Sequence, residues 1–285
     1  MCRWMAWHGQ PMLLEDLLFR PKHGLIDQSL HSRMGAETTN GDGFGVGWYG
    51  EGDGPGAYRS TQPAWGDANL RHLAGHVRSP LFLAHVRATT GTAIQQSNCH
   101  PFHHERWLFV HNGLVAGFRD LRRELMLELD PARFPDVMGS TDSEVLFHLA
   151  LTYGLAEDPV LALERVLGLV EERAARHGIA DVLQASIGVS DGERLWAVRY
   201  ATTGTPRTLF VSADVDAVRR LHPEAENLAL LHEGDRLVVS EPLADLSGAW
   251  HELRPGSALV VDPDGALHHR RFHPEAPGEH GWEPL

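Results

Sequence analysis

Cysteine is nearly absent: only Cys2 and Cys99 occur among 285 residues. Two thiols cannot build a disulfide framework, and so little cysteine suits a reducing compartment. Long apolar runs are missing as well. No stretch of about 18 apolar residues is present, so no transmembrane helix is expected. The opening MCRWMAWHGQ lacks the basic start, apolar run and cleavage site of a secretion signal. Together these absences predict a cytoplasmic protein. Blocks of positive charge are the third absence. Lys and Arg total 25 against 38 Asp and Glu, a formal charge of −13 with no dense basic segment. Neither nucleic acid nor an anionic membrane is therefore an expected partner. No linker with a shifted composition and no internal repeat interrupts the chain.

What is present reads as globular. Apolar residues make up 42%, and 29 Gly and 17 Pro are dispersed rather than clustered. Nineteen histidines make the charge sensitive to mild acid. Strand patterns fall at Cys2–Trp7, Gly43–Tyr49, Leu81–Arg87, Trp107–His111, Val182–Val189, Leu195–Tyr200, Thr208–Ser212, Arg236–Ser240 and Ala258–Val261. Helical spacing appears over Pro11–Phe19 (PMLLEDLLF), Phe118–Leu129, Val145–Tyr153 and Pro159–His177, the last ending at Gly178. Ser140 or Thr141, with Ser143 or Glu144 following, reads as a capping-box start. Residues 20–42 are expected to be mostly loop. Strands, then helices, then strands again predict an α+β domain in layers over residues 1–265, with a Pro/Gly/His-rich tail over 266–285.

Chemistry is concentrated at a few points. If Met1 is removed, Cys2 carries a thiol and a free α-amine on one carbon. The amine's ordinary pKa, roughly 7.7–8.0, lets it act as a base for its own thiol. Arg87 ends a strand, where its planar fork suits a carboxylate, although a structural ion pair is the commoner fate of such an arginine. An Asn112 amide and a Gly113 N–H could together hold an oxyanion, but Asn-Gly taken alone reads as a turn. Asp142, at a helix start, could meet an ammonium group or simply complement the helix dipole.

Three letter patterns carry little. GDGFGVG runs into a loop rather than a helix, so it is not a dinucleotide fingerprint, and its small residues are expected to let backbones approach closely. Gly188–Gly192 spells GxSxG but sits at a hairpin signal. Cys99, His100, His103 and His104 match no strong metal spacing, and no metal is expected.

As an ordered set, Met1-Cys2-Arg3, Asn40-Gly41-Asp42-Gly43-Phe44-Gly45, His85-Val86-Arg87-Ala88-Thr89-Thr90-Gly91, Asn98-Cys99-His100-Pro101-Phe102, His111-Asn112-Gly113 and Ser140-Thr141-Asp142-Ser143-Glu144 resemble the class II glutamine amidotransferases. Within them the chain is most similar to the stand-alone branch. That branch holds the bacterial YafJ-like proteins, the ergothioneine-pathway amidohydrolase and a fungal subunit that helps degrade glutathione. The resemblance covers residues 1 to about 150. It implies a four-layer αββα N-terminal-nucleophile (Ntn) hydrolase sandwich of two mostly antiparallel sheets, needing no cofactor.

The resemblance also implies roles. Cys2 would be the nucleophile, with the Asn112 side chain and Gly113 N–H as oxyanion hole. Arg87 would bind the α-carboxylate, Asp142 the α-ammonium, and Thr90 would lie near the substrate. The substrate would be glutamine or a γ-glutamyl peptide, cleaved through a thioester. Thr39-Asn40 stands where synthase-type members have Arg-Gly before the aspartate, and Ala88 where they have an aromatic residue. No synthase domain is recognisable in the sequence. That leaves open an ammonia-accepting or peptidase partner protein, and also a non-catalytic subunit or ligand-binding module that keeps the fold.

Overall fold

The computed structural model describes residues 2–34, 38–89, 91–222 and 226–278. In chain order the first half contains β1 (Arg3–Leu13), α1 (Leu14–Leu18), α2 (Leu25–His31), β2 (Phe44–Trp48), β3 (Gly56–Ser60), α3 (Ala68–Ala74), β4 (Arg78–Val86), β5 (Phe102–His104), β6 (Trp107–Val115) and α4 (Phe118–Leu127). There follow α5 (Asp142–Thr152), α6 (Pro159–Arg176), β7 (Leu183–Ser190), β8 (Leu195–Ala201), β9 (Phe210–Ser212), α7 (Val215–Leu221), β10 (Arg236–Val239), β11 (Trp250–Glu252), β12 (Ser257–Val261) and β13 (Leu267–Arg271).

The strands form two sheets, ordered β11-β9-β10-β1-β4-β2-β3 and β13-β12-β8-β7-β6-β5. Alternation along the strands builds the layers, because successive side chains point to opposite faces. Trp4 and Ala6 of β1, with Leu81 and Leu83 of β4, point inward and meet Leu108, Val110, Leu195 and Leu259 of the second sheet. Met5, Trp7, Phe82 and Ala84 point outward under α1, α2 and α3. On the far side Phe109, Ile187 and Val198 lie under α4, α5 and α6. Both faces of each sheet are thus covered, which explains why the central strands read as almost continuous apolar runs.

The glycines of β2 permit the close approach between sheets. A Cβ at Gly45 would stand 2.3 Å from the His100 carbonyl oxygen, and one at Gly47 2.7 Å from a Leu108 methyl. The Ser190–Glu193 segment is a hairpin turn, closed by Ser190 Oγ donating to the Arg194 carbonyl at 2.8 Å.

The structure corrects two expected boundaries. PMLLEDLLF is not one helix: Met12 and Leu13 still pair with Ser79 and Arg78 beyond a register shift, and only Leu14–Leu18 is helical. Residues 20–42 also hold α2, a short helix within a stretch whose other described residues are loop. Its buried face includes Gln28 and Ser29, so no apolar stripe announces it, and Gly24 offers no side-chain cap. Leu267–Arg271, counted with the tail in the sequence, adds an edge strand to the second sheet.

Candidate active site

The ends of β1 and β4, the latter half of β6 and the start of α5 converge at one end of the sandwich. Cys2 precedes β1, the strand at the middle of the first sheet. Its half-buried Sγ lies 3.5 Å from both the N and the O of Ala88, just past β4. Burial pushes the Cys2 thiol above its usual range; the Ala88 contact and the nearby Arg87 pull it down, and Asp142 pushes it up. The thiol therefore lies within electrostatic reach of both a cation and an anion.

Arg87 is buried, and among the described residues its guanidinium donates only to neutral oxygens: the Asp42 carbonyl at 3.2 Å, Thr89 Oγ1 at 3.3 Å, Thr92 Oγ1 at 2.5 Å and the Ala93 carbonyl at 3.3 Å. No Asp or Glu among the described residues forms an ion pair with it. The structural ion pair that is the common fate of such an arginine is therefore not made here. Asp42 stays close by through another bond, its Oδ2 accepting the Thr89 N–H at 2.8 Å. Thr90 lies outside the described residues.

Asn112-Gly113 is not a turn. Asn112 pairs with Ser186 and Gly113 with Ala185, and β6 continues to Val115. The strand wins because both neighbouring stretches, Trp107–Val110 and Leu114–Val115, are apolar and paired on β7. Gly113 is needed for space rather than for a bend, since a Cβ there would lie 1.9 Å from the Gln184 carbonyl oxygen. Asn112 is buried, yet among the described residues nothing pairs with its side-chain amide. The Val115 N–H leaves the sheet to donate to Asp142 Oδ2 at 2.8 Å. Backbone directions alternate along a strand, so Gly113 presents its N–H to that same edge. β5 covers this edge only at residues 107–109.

Asp142 opens α5. Thr141 is the N-cap, its Oγ1 accepting the Glu144 N–H at 3.2 Å. The other Asp142 oxygen accepts the Ser143 N–H at 2.7 Å. Asp142 is thus a first-turn acid and also a fixed carboxylate beside β6.

Several supporting residues were not legible as such. Asn98 ties the loop after Arg87 to the start of α5: its Nδ2 donates to the Ala93 carbonyl at 2.8 Å, and its Oδ1 accepts the Ser140 N–H at 2.8 Å. His85 and His100 stack at 4.1 Å in the interior. Burial lowers the His85 pKa to about 3 and that of His100 well below the ordinary value. Both lie within the ordered motifs, which mark the segments but say nothing of the stacking. Arg3 is bonded to Glu241, 238 positions away, and no local signal announces that contact.

The profile of the class II glutamine amidotransferases matches residues 26–279. The chain belongs to the class II glutamine amidotransferases. Probable glutamine amidotransferase DUG3 of Saccharomyces cerevisiae is 32% identical over 299 residues, covering 94% of this chain and 84% of that one. The gamma-glutamyl-hercynylcysteine sulfoxide hydrolase of Mycolicibacterium smegmatis is 36% identical over 156 residues, 51% of this chain and 69% of that one. A class II glutamine aminotransferase domain protein from Silicibacter pomeroyi superposes with a TM-score of 0.73 at 36% identity, covering 96% of this chain and 99% of its own. The class II amidotransferase described here is therefore an enzyme with the four-layer Ntn-hydrolase fold. Among its described residues no helix is long and apolar enough to cross a membrane.

Proposed function

We propose that this amidotransferase hydrolyses the γ-amide of glutamine or of a γ-glutamyl compound, with Cys2 as nucleophile. The observation that carries the reading is the setting of the Cys2 thiol, which feels both a buried guanidinium without a carboxylate partner and a fixed carboxylate. An α-amino acid bears the two complementary charges. Arg87 would take the α-carboxylate in a fork geometry and Asp142 the α-ammonium. The γ-carbonyl would then face the thiol. Thr90 is assigned to the substrate's surroundings by family resemblance alone.

The steps follow from that placement. With Met1 removed, the Cys2 amine accepts the thiol proton and the thiolate attacks the γ-carbonyl carbon. The oxyanion forms against the Asn112 amide and the Gly113 N–H; one such donor contributes roughly 10²–10³ in kcat in comparable sites. The protonated amine gives its proton to the leaving amine, the carbon–nitrogen bond breaks, and a thioester remains. Water then adds to the thioester, releasing the γ-carboxylate and restoring the thiol.

Intact-mass analysis before and after treatment with a diazo-ketone analogue of norleucine tests the reading. A chain beginning at Cys2, with one adduct on that residue, is expected. Cys2→Ala should abolish hydrolysis of both glutamine and γ-glutamyl peptides. Unchanged activity in that variant would sink the proposal.

A further inference from the structure

A buried carboxylate far along the chain holds the residue next to Cys2. Glu241 follows β10 and is 2% exposed. Its two oxygens receive five donors. Oε2 accepts from Arg3 Nε at 2.9 Å, Ser32 Oγ at 3.2 Å and the Met34 N–H at 3.2 Å. Oε1 faces His23 Nε2 at 2.5 Å and accepts the Arg33 N–H at 2.8 Å. An ionised carboxylate offers about four lone-pair sites, so this one is saturated.

Two routes run from it toward the site. The first passes through Arg3, whose Nη1 donates to the Cys2 carbonyl at 2.8 Å. The surrounding backbone fixes Arg3: Trp4 and Ser240 exchange bonds, the Trp4 N–H to Ser240 Oγ at 3.1 Å and the Ser240 N–H to the Trp4 carbonyl at 2.9 Å. The second route passes through the segment after α2. Glu241 holds the 33 and 34 amides, Ser32 N–H donates to the Thr38 carbonyl at 2.9 Å, and Asn40 N–H to that of Ser29 at 2.6 Å. This segment delivers Asp42, whose carbonyl and carboxylate hold Arg87 and the Thr89 N–H.

We propose that Glu241 is a positioning residue for the Cys2 nucleophile, acting through the Arg3 contact to the Cys2 carbonyl. It also sets the segment that carries Asp42 to Arg87. The inference rests on the reading of Cys2 as nucleophile. Residues preceding the first strand have few other restraints, and a small misplacement of a reacting group is costly to rate. The Arg3 guanidinium is suited to the task because its planar fork can meet a carboxylate and a carbonyl at once; a lysine ammonium cannot hold both in one plane. The negative charge matters as well, since the amide of a glutamine at 241 would turn N–H groups toward donors.

The test uses the full-length protein and three variants, Arg3→Lys, Glu241→Gln and Arg106→Ala. Each is first checked for a single melting transition. Two rates are then measured for alkylation at Cys2, one with the diazo-ketone norleucine and one with iodoacetamide, together with glutamate protection against both. Arg3→Lys and Glu241→Gln should slow diazo-ketone labelling at least tenfold and change the iodoacetamide rate at Cys2. Arg3→Lys should leave the glutamate protection constant within threefold, because Arg87 and Asp142 are untouched; a role in stability alone would not give that split. Arg106→Ala, which removes a surface ion pair with Asp191 outside both routes, should label within twofold of the parent. Should Glu241→Gln fail to fold, Arg3→Lys decides alone. Parental rates for both reagents in folded Arg3→Lys would overturn the inference. If the parent protein reacts with iodoacetamide at Cys2 but never with the diazo-ketone, the hydrolase reading fails, and the iodoacetamide comparison still judges the positioning role.

Discussion

A methyl group at position 113 would overlap the Gln184 carbonyl oxygen at 1.9 Å and His111 Nε2 at 2.1 Å. Backbone cannot yield there without opening the β6–β7 ladder. Gly113→Ala should therefore cost roughly 2–4 kcal/mol in urea denaturation and suppress hydrolysis. Wild-type stability in that variant would show that the strands can part. The interior histidines set a second expectation at this scale. His85, lowered to about 3 by burial first, with the His111 backbone opposing and Arg87 adding to the fall, stays neutral in the fold at ordinary pH. His100, His103, His111 and His148 are lowered as well, burial leading in each case. In the unfolded chain they take up protons near 6.5. Their stabilising contribution is thus complete above that pH and is lost as pH falls below it, by about 1.4 kcal/mol per pH unit for each group that remains neutral in the fold. Denaturation at pH 7.5, 6 and 5 should show a steep decline; a flat profile would mean these rings are accessible. Glu241 lies below the usual carboxyl range, because the bonds from His23, Arg3 and the Arg33 N–H outweigh the burial that opposes them. Its stabilising contribution is lost only at lower pH, as the carboxyl is protonated, so it adds little to the change between pH 7.5 and 5.

The start of α5 shows what a local signal can and cannot tell. Thr141 caps the helix as its sequence spacing implies, and Thr141→Ala should lower stability by about 1 kcal/mol. Asp142 would lose its fixed position, so the Michaelis constant for a γ-glutamyl substrate should rise in the same variant. An unchanged constant would detach the cap from the site. Glu144, however, does not close the box on Thr141. Its carboxylate accepts the Met138 and Gly139 N–H groups at 2.9 and 2.7 Å, holding the preceding loop. Capping was legible because it depends on residues three apart, whereas the alternative acceptor geometry depends on how the loop folds back. The same distinction explains α2, whose buried Gln28 answers to the distant Glu241 carbonyl at 3.1 Å rather than to its own period. It also explains Asn112-Gly113, where the β7 partner overrides a strong turn preference.

At the scale of the whole molecule, the strands were largely readable and their order was not. β1 is flanked by β4 and by β10, which begins more than 220 residues after it. Nothing local encodes such a pairing. The ordered motifs marked out separate segments, and the structure brings Cys2, Arg87, Asn112 and Asp142 from them to one end of the sandwich. Trp4 shows how the layers hold that end together. Its ring fills the space between the sheets, and its Nε1 donates to Ser186 Oγ at 3.0 Å, opposite Asn112. Trp4→Ala should cost about 3–5 kcal/mol. Because the ring belongs to both sheets, the loss should appear as one shifted unfolding transition; two separate transitions would show that the sheets melt independently.

The strand that encloses Asn112-Gly113 also has a bearing on chemical ageing. Asn-Gly is the dipeptide in which a backbone nitrogen most readily attacks the preceding side-chain amide, expelling ammonia and leaving an aspartyl or isoaspartyl residue. That attack needs a mobile backbone, and register with Ser186 and Ala185 denies it one. A sample that opens repeatedly at this edge would therefore deamidate there, exchanging the buried amide for a carboxylate. Shelf life would then be set by the opening rate of a single ladder.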